Sequence, residues 1–182
     1  QTATVAEDGG PAGGSFVFAP GVTLAGFGIV IDIPTVNNGV FAADINGRTL
    51  RLQGSSHQNN NLYRAINGGT LVLTGTTVNQ SGSAQTSAGN GSAVYLSTSR
   101  INGGTIGSPA GGTGVTIIDN TEVTLDSVTV SRQLNLNGSG TLALEHRGNG
   151  WVVSVRRVHR DAGDLRQRLQ ARHRRRLEID EP

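Results

Sequence analysis

From about residue 36 to 156 the chain alternates between apolar and polar positions with period two. Leu50/Leu52, Leu71/Leu73, Val94/Leu96, Val115/Ile117, Val123/Leu125, Val128/Val130, Leu134/Leu136, Leu142/Leu144 and Val153/Val155 are each separated by one residue. Successive side chains on a strand point to opposite faces, so both members of each pair face the same way. The pattern predicts short strands of about four to six residues, punctuated by Gly, Asn or Ser. Nothing in 36–150 has the 3.6-residue period of a helix.

One short phrase recurs. It reads Ile45-Asn46-Gly47-Arg48-Thr49-Leu50, Ile66-Asn67-Gly68-Gly69-Thr70-Leu71, Ile101-Asn102-Gly103-Gly104-Thr105-Ile106 and, with one extra residue, Leu136-Asn137-Gly138-Ser139-Gly140-Thr141-Leu142. The Asn positions step by 21, 35 and 35 residues. Recurrence on this scale marks a stacked architecture, each unit burying its apolar face against the next. The expected fold is all-β, a right-handed single-stranded parallel β-helix with coils of roughly 18 to 25 residues. A step of 35 reads as one coil plus a loop, or as two shorter coils. The stretches 81–91 and 108–114, polar and Gly/Ser-rich, are the expected loops.

Three regions follow. Residues 1–35 are a lead-in, and the apolar Phe16–Phe27 segment serves as an N-terminal cap or as a first rung. Residues 36–156 are β-helix rungs. Residues 157–182 are an Arg-rich tail, read in three ways: a short helix with Asp161 or Asp164 at its start and Leu165, Leu169 and Leu177 on one stripe, a disordered segment, or an out-of-frame translation.

Composition supports the β reading. Gly is abundant at 27 residues, aromatics are 4% and charged residues 15%, which disfavours helices. Cys is absent, so disulfides, thiolate nucleophiles and Cys-ligated zinc are excluded. Met and Lys are absent too, and all 15 basic residues are Arg. No signal peptide is visible, and no apolar run approaches the roughly 20 residues that span a bilayer as a helix. The net charge of +2 divides unevenly. Residues 1–150 carry six Arg against eight acids, and residues 151–182 nine Arg against five acids. The basic character therefore belongs to the tail and is no nucleic-acid signature of the whole chain.

Gly68-Gly69-Thr70-Leu71-Val72-Leu73-Thr74-Gly75 and Gly138-Ser139-Gly140-Thr141-Leu142-Ala143-Leu144 resemble the strand repeats of bacterial autotransporter passenger domains. Filamentous adhesins and phage tailspikes use similar text. The resemblance covers roughly residues 45–150. It implies a parallel β-helix that is secreted or displayed on a Gram-negative cell surface, with an outer-membrane β-barrel encoded downstream. The implied role is a structural and adhesive stalk, not an enzyme. Its loops would bind host or neighbouring cells through a surface glycan or protein receptor, with no nucleic acid and no cofactor. The Arg-rich tail departs from that pattern, since more rungs or a barrel should follow there.

Asn46, Asn67, Asn102 and Asn137 are expected to stack in turns as a structural ladder. The alternative function is polysaccharide processing, of tailspike, lyase or hydrolase type. A glycosidase needs two carboxyls about 5 to 10 Å apart, and Asp119, Glu122 and Asp126 are the candidates, with Asp32 and Asp44 able to approach from other rungs. The motifs of polygalacturonase-like enzymes are absent; Asp119-Asn120-Thr121 only permutes one of them. His57, His146, His159 and His173 lack metal-ligand spacing and are expected on the surface. Gly111-Gly112-Thr113-Gly114-Val115-Thr116 approaches a calcium β-roll repeat, but Thr116 stands where the carboxylate belongs, so no metal is expected. Arg156, Arg157, Arg172, Arg174, Arg175 and Arg176 could grip a polyanion, although only Trp151 offers an aromatic platform beside them.

Overall fold

A computed structural model describes residues 3–6, 14–119, 121–132, 134–137, 141–145 and 152–156. Every regular element in it is a strand. The first coil holds β1 (Ala3–Ala6), β2 (Phe16–Phe18) and β3 (Thr23–Gly26). The second holds β4 (Gly28–Ile31), β5 (Thr35–Asn37) and β6 (Val40–Ala43), and the third β7 (Thr49–Gln53), β8 (Ser56–Asn59) and β9 (Leu62–Ala65). Then come β10 (Thr70–Thr74), β11 (Thr77–Gln80) and β12 (Gln85–Ala88), followed by β13 (Ala93–Ser97), β14 (Ser99–Asn102) and β15 (Thr105–Gly107). A sixth coil holds β16 (Val115–Asp119), β17 (Glu122–Asp126) and β18 (Thr129–Ser131). Two strands of a seventh follow, β19 (Leu134–Asn137) and β20 (Thr141–Glu145), and then β21 (Val152–Arg156).

The strands stack into three parallel sheets. The first runs β1-β4-β7-β10-β13-β16-β19, the second β2-β5-β8-β11-β14-β17-β20 and the third β3-β6-β9-β12-β15-β18. The chain is thus a β-solenoid. Register sets the coil length: Gly28 lies opposite Leu50, Leu50 opposite Leu71, Leu71 opposite Val94 and Val94 opposite Thr116. Those steps are 22, 21, 23 and 22 residues, within the expected coil length. β21 differs, because it pairs antiparallel with β20.

Inward positions form columns. Val30, Leu52, Leu73, Leu96 and Ile118 line the first sheet, and Phe41, Tyr63, Thr86 and Ile106 the third. Leu52, Leu73, Leu96, Tyr63 and Ile106 are fully buried. Aromatic rings continue the stack at the early coils, with centroids 6.1 Å apart for Phe18–Phe41 and 5.5 Å for Phe41–Tyr63. Tilted and edge-on contacts at such distances suit the ring quadrupole. Phe16–Phe27 therefore lies within the first two coils of the solenoid.

Corners are tight and conformationally demanding. Asp32, Gly54, Gly75 and Thr98 follow the four in-register residues Ile31, Gln53, Thr74 and Ser97, and all four have positive φ. The left-handed conformation turns the chain from the first sheet to the second without a longer loop.

Two sequence expectations change here. The stretch 81–91 is not a loop. It contains β12, whose Thr86 and Ala88 are fully buried. Small residues hide this strand, because Thr86 fills an inward position that other coils give to Phe41, Tyr63 and Ile106. The steps of 35 also have a different cause. Asn46 and Asn67 occupy the corner between the third and first sheets, Asn102 ends a strand of the second sheet and Asn137 ends a strand of the first. A step of 35 is one coil plus two further sides of the triangle, so the phrase marks corners and not coils. The stretch 108–114, by contrast, carries no strand and joins β15 to β16. The expected tail helix over 157–182 lies outside the described residues.

Candidate functional site

The interior holds two polar constellations. The first is an amide ladder at the corner between the second and third sheets. Asn37 Nδ2 donates to Asn59 Oδ1 at 2.9 Å, and Asn59 Nδ2 donates to Gln80 Oε1 at 3.0 Å. The remaining amide hydrogens serve backbone carbonyls: Asn37 to Leu62, Asn59 to Gln85 and Gln80 to Gly103. Thr86 Oγ1 donates to Gln80 Oε1 at 2.8 Å. Burying an amide is costly without partners, and here each one has them. The ladder satisfies corner carbonyls that the turn takes out of the sheets.

The second constellation joins three coil sides. Tyr63 Oη lies 3.2 Å from Thr35 Oγ1, which lies 3.0 Å from His57 Nδ1; His57 Nε2 lies 3.2 Å from the Gly54 carbonyl. A carbonyl only accepts, so Nε2 carries the ring proton and Nδ1 accepts from Thr35; Tyr63 then donates to Thr35. Burial lowers the His57 pKa below 6.5, against a smaller opposing effect of the Gly54 carbonyl. Burial also pushes the Tyr63 hydroxyl up to about 12. Both side chains are neutral at pH 7 and sealed from solvent, His57 being 1% exposed and Tyr63 0%. This corrects the expected surface position of His57: it replaces an aliphatic residue in a core column that continues as Val78, Ile101 and Leu125. His146, His159 and His173 lie outside the described residues.

The outer surface offers what the interior does not. A groove of about 300 Å³ runs where the first sheet turns into the second. Four successive coils line it: Ser55 from the third, Gly75, Thr76 and Thr77 from the fourth, Thr98, Ser99 and Arg100 from the fifth, and Glu122 and Thr124 from the sixth. Neighbouring strands are about 4.8 Å apart, so the lining extends about 14 Å along the solenoid axis. Six of its residues carry hydroxyls. Ser99 is 95% buried, and its Oγ has no hydrogen-bond partner among the described residues.

Beside the groove Arg100 organises the outer face of the second sheet. Its Nη2 contacts Asp126 Oδ2 at 2.9 Å and Glu145 Oε2, and its Nε donates to Asn102 Oδ1 at 2.9 Å. Glu145 and Asp126 both raise the Arg100 pKa, Glu145 more strongly. Asp126 and Glu145 are register partners on β17 and β20. Adjacent strands place their backbones about 4.8 Å apart, near the spacing of a carboxylate pair in a retaining glycosidase.

The structure distributes the sequence candidates differently. Asp119, Glu122 and Asp126 do not converge. Asp119 ends β16 on the first sheet, while Glu122 and Asp126 begin and end β17 on the second. Four residues of strand separate those two by about 13 Å. Glu145 was the partner missed, and its signal was the alignment of Glu122-Val123-Thr124-Leu125-Asp126 with Thr141-Leu142-Ala143-Leu144-Glu145, 19 residues on. Asn46 packs against Gly68, whose added Cβ would fall 2.2 Å from Asn46 Oδ1. Asn102 donates outside the solenoid to Asn79 Oδ1 at 2.8 Å, and Asn137 is exposed. The buried ladder instead uses Asn37 and Asn59, whose spacing of 22 repeats in the pairs Asn37-Asn38 and Asn59-Asn60. The side chain of Arg156, and Arg157, Arg172, Arg174, Arg175 and Arg176, lie outside what is described. Among the described residues no cluster of three or more His, Asp or Glu could hold a metal.

Compared with known protein families, with curated proteins and with solved structures, the chain matches none.

Proposed function

We propose that this protein is a carbohydrate-engaging β-solenoid that lays a linear polysaccharide along the groove between its first and second sheets. One observation carries the reading: hydroxyl-bearing side chains line one open groove over four consecutive coils, parallel to the solenoid axis. Such a surface suits a ligand that is itself a linear array of hydroxyls, met by exchange of hydrogen bonds. Asp126 ends β17, one of the lining strands, and Glu145 lies opposite it on the adjacent β20; these two would be the residues to serve a processing step. The setting is a secreted or cell-surface one.

The test is a polysaccharide panel scored for binding and for release of reducing ends. Thr77→Leu with Thr124→Leu should fill the groove and weaken binding by about tenfold or more, the effect of about 1.4 kcal/mol. Release of ends that disappears in Asp126→Asn and Glu145→Gln would make the protein a processing enzyme. Binding without release makes it a lectin-like surface. Retained binding in the filled variant would place the ligand elsewhere.

The adhesive stalk is the second reading, with a bacterial surface and a downstream membrane barrel as its context. It draws on the corner 108–114, where a further recess of about 330 Å³ is lined by Gly112, Thr113, Gly114, Val115, Arg132 and Asn135. In that reading cell adhesion is lost when 108–114 is replaced by a two-residue turn, and the groove variants leave it unchanged.

A further inference from the structure

The groove's charge pattern bears on its ligand, and this step rests on the glycan reading above. Among the described side chains, three carboxylates and one guanidinium stand on this part of the second sheet. Arg100 is engaged by Asp126 and Glu145, so its charge is already matched. Glu122 is different. It is exposed, it lines the groove, and it has no hydrogen bond or ion pair among the described residues. The unmatched charge of the groove is therefore negative.

We infer that the groove selects an amine-bearing glycan, with Glu122 pairing with a sugar ammonium and the flanking hydroxyls of Thr77 and Thr124 meeting the ring hydroxyls. A polyuronate would bring like charge against Glu122 and towards the outer carboxylates Asp126 and Glu145. Like charges at close range disfavour the complex, while opposite charges add specificity more than raw affinity. Among the described residues the lining holds no aromatic side chain, so polar and charged contacts decide the choice.

Titration calorimetry at low ionic strength with the full chain tests this, using tetramers of glucosamine, N-acetylglucosamine and galacturonic acid. Glucosamine should bind most tightly and galacturonate most weakly. Glu122→Gln should cut glucosamine affinity about twofold to fivefold, the effect of one exposed ion pair, and leave N-acetylglucosamine unchanged. Glu122→Lys, at an exposed strand position that does not threaten folding, should reverse the order towards galacturonate. Binding of galacturonate at least as tight as glucosamine, or a preference unaltered in Glu122→Gln, overturns the inference while leaving the glycan reading intact. No binding of any of the three overturns both.

Discussion

At the scale of single residues, the core shows where polarity is compensated and where it is not. Thr116 is 1% exposed in a column that also holds Leu50, Leu71 and Val94, and its hydroxyl has no partner among the described residues. Thr116→Val keeps the shape and removes that hydroxyl, so it should stabilise by about 1–2 kcal/mol; the shift of the urea midpoint measures it. His57 is the opposite case, fully bonded yet pH-sensitive. Its pKa is lowered in the fold, so the unfolded chain binds the proton more readily. The stabilisation by neutral His57 is complete above pH 6.5 and is lost as pH falls through 6.5 towards the folded value. The loss of stability between pH 7.5 and 5.5 should therefore shrink in His57→Gln, seen as converging urea midpoints. Gly68 carries a steric rule: its φ is +76° and an added Cβ would meet Asn46 Oδ1. Gly68→Ala should cost about 1 kcal/mol or more, and Asn46→Ala in the same chain should restore the steric part but not the left-handed strain.

At the scale of elements, the amide ladder ties β5, β8 and β11 together at one corner. Asn59 is its centre, accepting from Asn37 and donating to Gln80. Asn59→Ala strands buried groups on both sides and should cost about 2–4 kcal/mol, since each unsatisfied buried partner costs about 1–3 kcal/mol. Asn60→Ala, on the neighbouring residue whose part-buried amide reaches Asn38, should cost far less. Thermal melts of the two variants side by side distinguish a buried network from a partly solvated one. The ladder was partly legible, because Asn-Asn recurs at 22 residues. What was not legible is parity: Asn79 and Gln80 are neighbours in sequence, yet register sends Asn79 outward to Asn102 and Gln80 inward to Asn59. A one-residue offset exchanges the two faces of a strand.

At the scale of the whole molecule, each coil contacts its neighbours, and stability is nearly a sum over coils and their interfaces. Deletions that respect the coil should therefore be tolerated better than shorter ones that do not. Removing 71–93, one coil between the register partners Leu71 and Val94, keeps every downstream strand on its own sheet. Removing 81–91 deletes β12 and sends later strands to the wrong side. Circular dichroism and gel filtration should find the 23-residue deletion folded and the 11-residue deletion unfolded or aggregated, the reverse of what a surface loop at 81–91 would give.

The alternation of Leu, Val and Ile, the Gly- and Asn-rich punctuation and the absence of helical periodicity determined by themselves that this chain is a stack of short strands. Those signals are local, since they depend only on which neighbours share a face. Three things were decided by tertiary structure alone: the three-sided coil with register steps from 17 to 25 residues, the burial of His57, and the assembly of Arg100, Asp126 and Glu145. The groove belongs with them, because its lining comes from four coils whose hydroxyls are unremarked one at a time. The physical reason is common to all of them. In a solenoid the neighbours that matter lie one coil away, and small changes in corner length, invisible to a local pattern, decide which residues those are.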